Sequence, residues 1–132
     1  MRISGYHREW DAHDEAGLDR VLEFRDAVGG AEFWLSIKDD SYPVVSIRVS
    51  GALADVHYFP EEGHPGFRAL AAPESTQEQE APDVRFRYEG CDPASGEDVP
   101  GQFVLPFSVA LDLAREFYRT GAQPSSAAWF EL

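Results

Sequence analysis

Between residues 33 and 59 the chain changes sides at every step. Phe33, Leu35 and Ile37 alternate with Trp34, Ser36 and Lys38. Val45, Ile47 and Val49 alternate with Ser46, Arg48 and Ser50, and Ala54, Val56 and Tyr58 with Asp55 and His57. Successive side chains of a strand point to opposite faces, so a period of two specifies strands with one apolar and one polar face. The intervening turns, residues 39–43 and 50–52, are too short for the crossover that parallel strands need. Residues 33–38, 44–50 and 53–59 are therefore expected to form an antiparallel meander, and the remaining elements must pack on its apolar face.

The last thirty residues, 103–132, supply the strongest candidate for that cover. A strand over 103–107 runs into Ser108, whose hydroxyl suits a helix N-cap. A helix over about 109–119 follows, with Ala110, Leu113, Ala114 and Phe117 on one stripe. Arg115 and Arg119 suit its C-terminal dipole, and Gly121 suits a left-handed stop. Residues 127–132 read as extended. Near the other end, residues 2–8 read as an edge strand anchored by Ile3 and Tyr6, and 10–13 as loop. Asp14 caps a helix that runs to about Val28, burying Leu18, Val21, Leu22 and Val28 before Gly29-Gly30. Short strands are expected at 67–72 and 84–88, between polar loops at 60–66, 73–83 and 90–101. Residues 1–132 thus read as one α+β domain. It is an antiparallel sheet of about five to seven strands with two helices packed on one face and the other face partly open to water.

Charge narrows the class of partner. With 24 acidic and 11 basic residues the net charge is −13, which opposes nucleic acid and anionic membranes and favours encounter with a basic protein. No apolar run has the length of a membrane span. Residues 1–8 lack the apolar core of a signal peptide, and Cys91 is the sole cysteine, so an internal disulfide is excluded and a reducing cytoplasm is expected.

The polar sheet face is where recognition is expected. It displays Trp34, Lys38, Arg48, Asp55 and His57, and with the later strand Arg85 and Arg87. Such a row serves either as a cross-strand ladder of charge pairs or as a binding surface, in which Trp and Arg are favoured anchors. Glu61, Glu62, Glu78 and Glu80 stand in loops as an alternative surface for a basic partner. Asp55 and His57 share a face at i and i+2, and His64 lies near Glu61 and Glu62, but the spacings match no zinc framework. Cys91 sits among carboxylates, which raise a thiol's pKa and weaken it as a nucleophile. Phosphate-binding glycine loops and the G-x-S-x-G nucleophile motif are missing from the sequence. The expectation is a protein without catalytic residues, metal or cofactor.

One resemblance adds to this. Ser108, Ala110, Ala114, Glu116-Phe117, Thr120-Gly121, Pro124 and Trp129 resemble the C-terminal end of the Imm-one family, immunity proteins of bacterial polymorphic-toxin systems. The likeness covers those thirty residues; the preceding part shares only a general helix-then-strands order. It implies an immunity protein that binds a cognate toxin in the cytoplasm and blocks its active site or substrate groove. The toxins of that family are often nucleic-acid deaminases. The full zinc-deaminase pattern, H-x-E followed by P-C-x-x-C, does not occur in this chain, whose sole cysteine is Cys91. Two other readings stand beside it: an interaction adaptor without a toxin, and a small-ligand carrier or enzyme with a pocket between helices and sheet.

Overall fold

The structure, a computed structural model, describes residues 1–5, 7–38, 41–71, 82–87 and 96–132. The alternating segments pair as their periodicity requires. β3 (Gly30–Ser36), β4 (Val44–Ser50) and β5 (Leu53–Phe59) form the antiparallel centre, with Phe33 opposite Ile47 and Ile47 opposite Val56. β1 (Arg2–Gly5) pairs with β3 and carries β2 (Arg8–Asp11) at the sheet edge. On the far side β6 (Phe67–Ala69) and β9 (Leu105–Pro106) share the outer edge of β5, and β10 (Trp129–Glu131) pairs with β6. The main sheet has eight strands, one more than the upper end of the sequence estimate, because the N-terminal segment folds into two strands and not one. Trp10 and Asp11, expected in a loop, belong to β2. A second sheet holds only the hairpin of β7 (Val84–Arg87) and β8 (Gly96–Val99).

Two helices cover the apolar face. In α2 (Phe107–Thr120) the stripe Ala110, Leu113, Ala114 and Phe117 is buried, against the core made by Phe33, Leu35, Val45, Ile47, Val56 and Tyr58. The N-cap is Pro106, not Ser108, and it makes no side-chain cap. The Phe107 N–H instead donates to Ala52 O at 2.8 Å, so β9 passes straight into the helix. Gly121 ends α2 in the left-handed conformation, φ 66°. The other helix, α1 (Glu15–Leu22), is capped by Asp14, which accepts from Gly17 N at 2.6 Å, and it buries Leu18 and Leu22. It lies against α2 through Arg115–Asp19 and Arg119–Glu15 pairs at 2.9 and 2.8 Å. α1 stops well short of Val28, which is 63 % exposed.

The C-terminal segment after α2 is held to that helix by a clasp. Glu116, on α2, accepts hydrogen bonds from the N–H and hydroxyl groups of both Ser125 and Ser126. Trp129 Nε1 donates to Pro124 O at 2.8 Å, and its half-buried ring packs beside Tyr58. Together these return the chain from the end of α2 to the sheet edge as β10. Among the described residues no helix is long and apolar enough to cross a membrane.

Candidate functional site

The sheet face away from the helices is built in rows set by register. One row runs Glu9, Ser4, Trp34, Ser46, His57, Arg68 from β2 to β6; the rows beside it hold Glu32, Arg48, Asp55 and Ser36, Val44, Phe59. The sequence expected this face to be at least partly open to water. It is open only in part, because the β7–β8 hairpin and the 3-10 turn Gly101–Phe103 lie over one half. Phe86, Val99 and Phe103 form a second core there, with Leu70, Val84 and Val104. The guanidinium carbon of Arg68 stands 4.3 Å from the Phe103 ring centroid and that of Arg48 5.9 Å from Phe86.

Asp55, expected on a wet surface, is fully buried under this cover. Arg48 donates to both its oxygens, at 3.2 and 2.6 Å, and Arg68 donates at 2.8 Å. Arg48 also pairs with Glu97 of β8, which ties the hairpin to the sheet. Burial works to lower the Arg48 pKa, but the bonds to Asp55 and Glu97 outweigh it, so the group is held more firmly protonated than usual. Asp55 and Arg48 are therefore a cross-strand ion pair closed from solvent. His57 Nδ1 stands 3.8 Å from Asp55 Oδ1, beyond hydrogen-bond reach, so the i, i+2 pair does not form a dyad. Burial, reinforced by the charges of Arg68 and Arg48, lowers the His57 pKa against the opposing pull of Asp55 and Glu97. Its imidazole is neutral at pH 7.

The uncovered half forms a groove. Two hollows, of about 420 and 200 Å³, both have Trp34 and Phe59 in their walls. The larger is completed by Ser4, Ser36, Tyr42, Val44 and His64, and the smaller by Glu32, Ser46, Arg48, His57 and Glu97. Its origin is a size pattern. Ser46 and Val44 of β4 are short, while Trp34 on β3 and His57 and Phe59 on β5 stand up on either side. The Trp34 and Phe59 rings lie within 23° of parallel at 5.9 Å, and Phe59 and His57 within 9°. Trp34 Nε1 donates to Glu32 Oε1 at 2.9 Å, which fixes the indole, and 40 % of the residue remains exposed. The loop after β5 closes one end. Gly66 there has φ 94°, and a Cβ would meet the Phe59 ring at 2.8 Å, so only glycine lets the loop lie on that wall. Gly66 N donates to His64 Nδ1 at 2.8 Å and turns His64 Nε2 toward Glu131 at 3.6 Å.

The other expected site residues scatter. Glu61 and Glu62 are exposed in the loop that carries His64. Lys38 is exposed beyond the end of β3. Arg85 is on the hairpin, not on the main sheet, and pairs with Asp98 at 3.3 Å. Residue 87 belongs to β7, but its side chain lies outside the described part, as do Glu78, Glu80 and Cys91. Tyr42, Phe59 and Ser46 are among the groove residues that the sequence reading did not select, with Ser4, Ser36, Val44, Glu32 and Glu97. The alternation that placed Trp34 on this face also placed Ser46 there; the missing signal was the length of its neighbours. Among the described residues no three His, Cys, Asp or Glu side chains gather as a metal site. Compared with known proteins, the chain matches no family model and no curated protein.

Proposed function

We propose that this protein is a non-catalytic immunity protein. It binds a cognate toxin through the uncovered half of the outer sheet face and occludes the toxin's active site or substrate groove. The observation that carries the binding reading is Trp34. A large aromatic side chain stands 40 % exposed, fixed by a hydrogen bond, at the rim of a groove on the inner strands of the main sheet. Exposed, preorganised tryptophans beside concave surfaces are the usual anchors of protein interfaces. The −13 charge supports a basic partner, and the C-terminal likeness to the Imm-one family supports a toxin, a nucleic-acid deaminase being the class that likeness suggests. Neither Asp55, committed to two arginines, nor His57, lacking an acceptor in reach, has the geometry of a general acid–base pair.

The test is to read the reading frames beside this gene for a toxin domain, express it, and measure both binding and toxin activity. Stoichiometric addition of the protein is expected to silence the toxin, and Trp34→Ala to weaken the complex. Absence of binding between the two folded proteins overturns the assignment. A second reading is favoured by the size of the larger hollow, since about 420 Å³ falls in the range of small-molecule sites. A tightly held small molecule co-purifying with the protein, and lost on Trp34→Ala, would select that carrier function instead.

A further inference from the structure

On the outer face some arginines reach carboxylates that stand further out than they do, although Asp55 lies fully buried beneath Arg48 and Arg68. Arg2 serves two carboxylates, Glu9 and Asp11, at 3.1 and 3.2 Å; its side chain is 26 % exposed and theirs are 64 and 56 %. Arg48 likewise serves Asp55 and Glu97, and is 13 % exposed against 51 % for Glu97. On the helix side only Arg115–Asp112 has this form, 34 against 69 %; Arg115 and Asp19 are 34 and 33 % exposed, and Arg119 exceeds Glu15, 56 against 42 %. An ion pair with its anion outward presents negative potential even where the pair is formally neutral; Arg2 is shared by two anions, while Arg48 and Arg68 together balance Asp55 and Glu97. These acids flank the Trp34 groove. Glu97 lines its smaller hollow, and Glu9 lies in the Trp34 row two strands away, about 10 Å, within reach of unscreened charge.

We propose that the Trp34 groove is a receptor for an arginine side chain presented on a basic loop of the partner. The proposal rests on the protein-binding function above and names the chemical group that this site takes. A guanidinium is planar, stacks on an indole face, and forks onto carboxylates, which an ammonium does less well. The groove offers an indole held in one orientation, a floor of short side chains, and a rim of outward carboxylates. His57, neutral at pH 7, adds no cation to the wall, and Arg48, which does line the smaller hollow, is only 13 % exposed and bonded to Asp55 and Glu97.

The three tryptophans give a local readout. Trp34 is in the groove, Trp10 packs with Phe24 and Phe33, and Trp129 donates to Pro124 O, so the last two indoles serve as internal controls. Isotope-labelled protein is titrated with N-acetyl-arginine methylamide and, separately, with its neutral isostere N-acetyl-citrulline methylamide. The arginine probe is expected to shift the Trp34 indole N–H resonance saturably and to leave the other two in place. Citrulline is expected to do neither. Glu97→Gln should weaken the arginine response about threefold or more, the loss of one close charge. The double change Glu9→Gln and Asp11→Asn, which leaves the hairpin untouched, should weaken it in the same direction. An equal response to citrulline, equal shifts of all three indoles, or no shift overturns the arginine receptor. These outcomes are separate from the toxin-binding experiment: a toxin that binds through Trp34 while the probe fails removes this inference alone, and the reverse result removes only the toxin.

Discussion

Asp55 shows how much one residue's neighbours decide. A fully buried carboxylate is tolerated because two guanidiniums donate to it, and both depend on it in turn. Arg68 already has one buried nitrogen, Nε, with no hydrogen-bond partner. Asp55→Ala would leave two largely buried cations short of their anion, so a loss of about 3–5 kcal/mol is expected in urea unfolding. His57 and Glu116 give the pH dependence. The folded pKa of His57 is lowered, so the unfolded chain takes up its proton first as pH falls. Its contribution is complete above about pH 6.5, the unfolded value, and is lost as pH falls below it. Glu116 is lowered from 4.5 to about 2, chiefly by the Ser126 hydroxyl, then by the other donors at Ser125 and Ser126, against the opposing effect of burial. Its contribution is present above pH 4.5 and fades between there and about 2. Stability measured against pH should therefore flatten in the upper window for His57→Gln and in the lower one for Glu116→Gln. At pH 7 Glu116→Gln should cost only about 1 kcal/mol, because the clasp is near the surface and solvent screens it.

At the scale of elements, α2 is the piece on which the apolar face depends. Phe117 is fully buried with its ring set edge-on to Tyr58, centroids 6.3 Å apart. Phe117→Ala is expected to cost about 3–5 kcal/mol through the cavity it leaves, readable by thermal or urea unfolding. That stripe was legible in the sequence because a 3.6-residue period and a terminal glycine are local signals, as was the meander, whose alternation buries Phe33, Leu35, Val45, Ile47, Val49, Ala54, Val56 and Tyr58; Ile37, expected beside them, lies past the end of β3 and is exposed. The end of α1 was not legible. The apolar spacing continues to Val28, but the Arg25 guanidinium bonds the carbonyls of Leu22 and Phe24 at 2.6 Å each. Asp26 then accepts from Val28 N and Gly30 N and turns the chain. β8 was equally hidden. Gly96-Glu97-Asp98-Val99 has one apolar residue, and it is a strand only because β7 pairs with it and Val99 reaches the second core. The hairpin's cover, which reaches the sheet where Phe86 and Glu97 meet Arg48, joins residues far apart in sequence and leaves no periodic mark.

The whole molecule separates what attracts a partner from what holds it. The −13 charge acts over a distance set by ionic strength, whereas Trp34 acts only once its ring is covered. A toxin that grips a nucleic-acid backbone needs a basic cleft, and outward carboxylates on the groove side of this protein would orient the encounter. Raising salt from low to physiological levels should slow association markedly and change dissociation less. Glu61→Lys with Glu62→Lys, in the exposed loop that carries His64 to the groove, should slow association in the same way. Trp34→Ala should leave association nearly unchanged and speed dissociation, by about 30-fold if it removes roughly 2 kcal/mol. Surface-immobilised toxin domain, probed with each variant over a salt series, reads both rates. Association indifferent to salt would remove the steering mechanism, and Trp34→Ala dissociating at the unaltered rate would move the contact surface away from the groove.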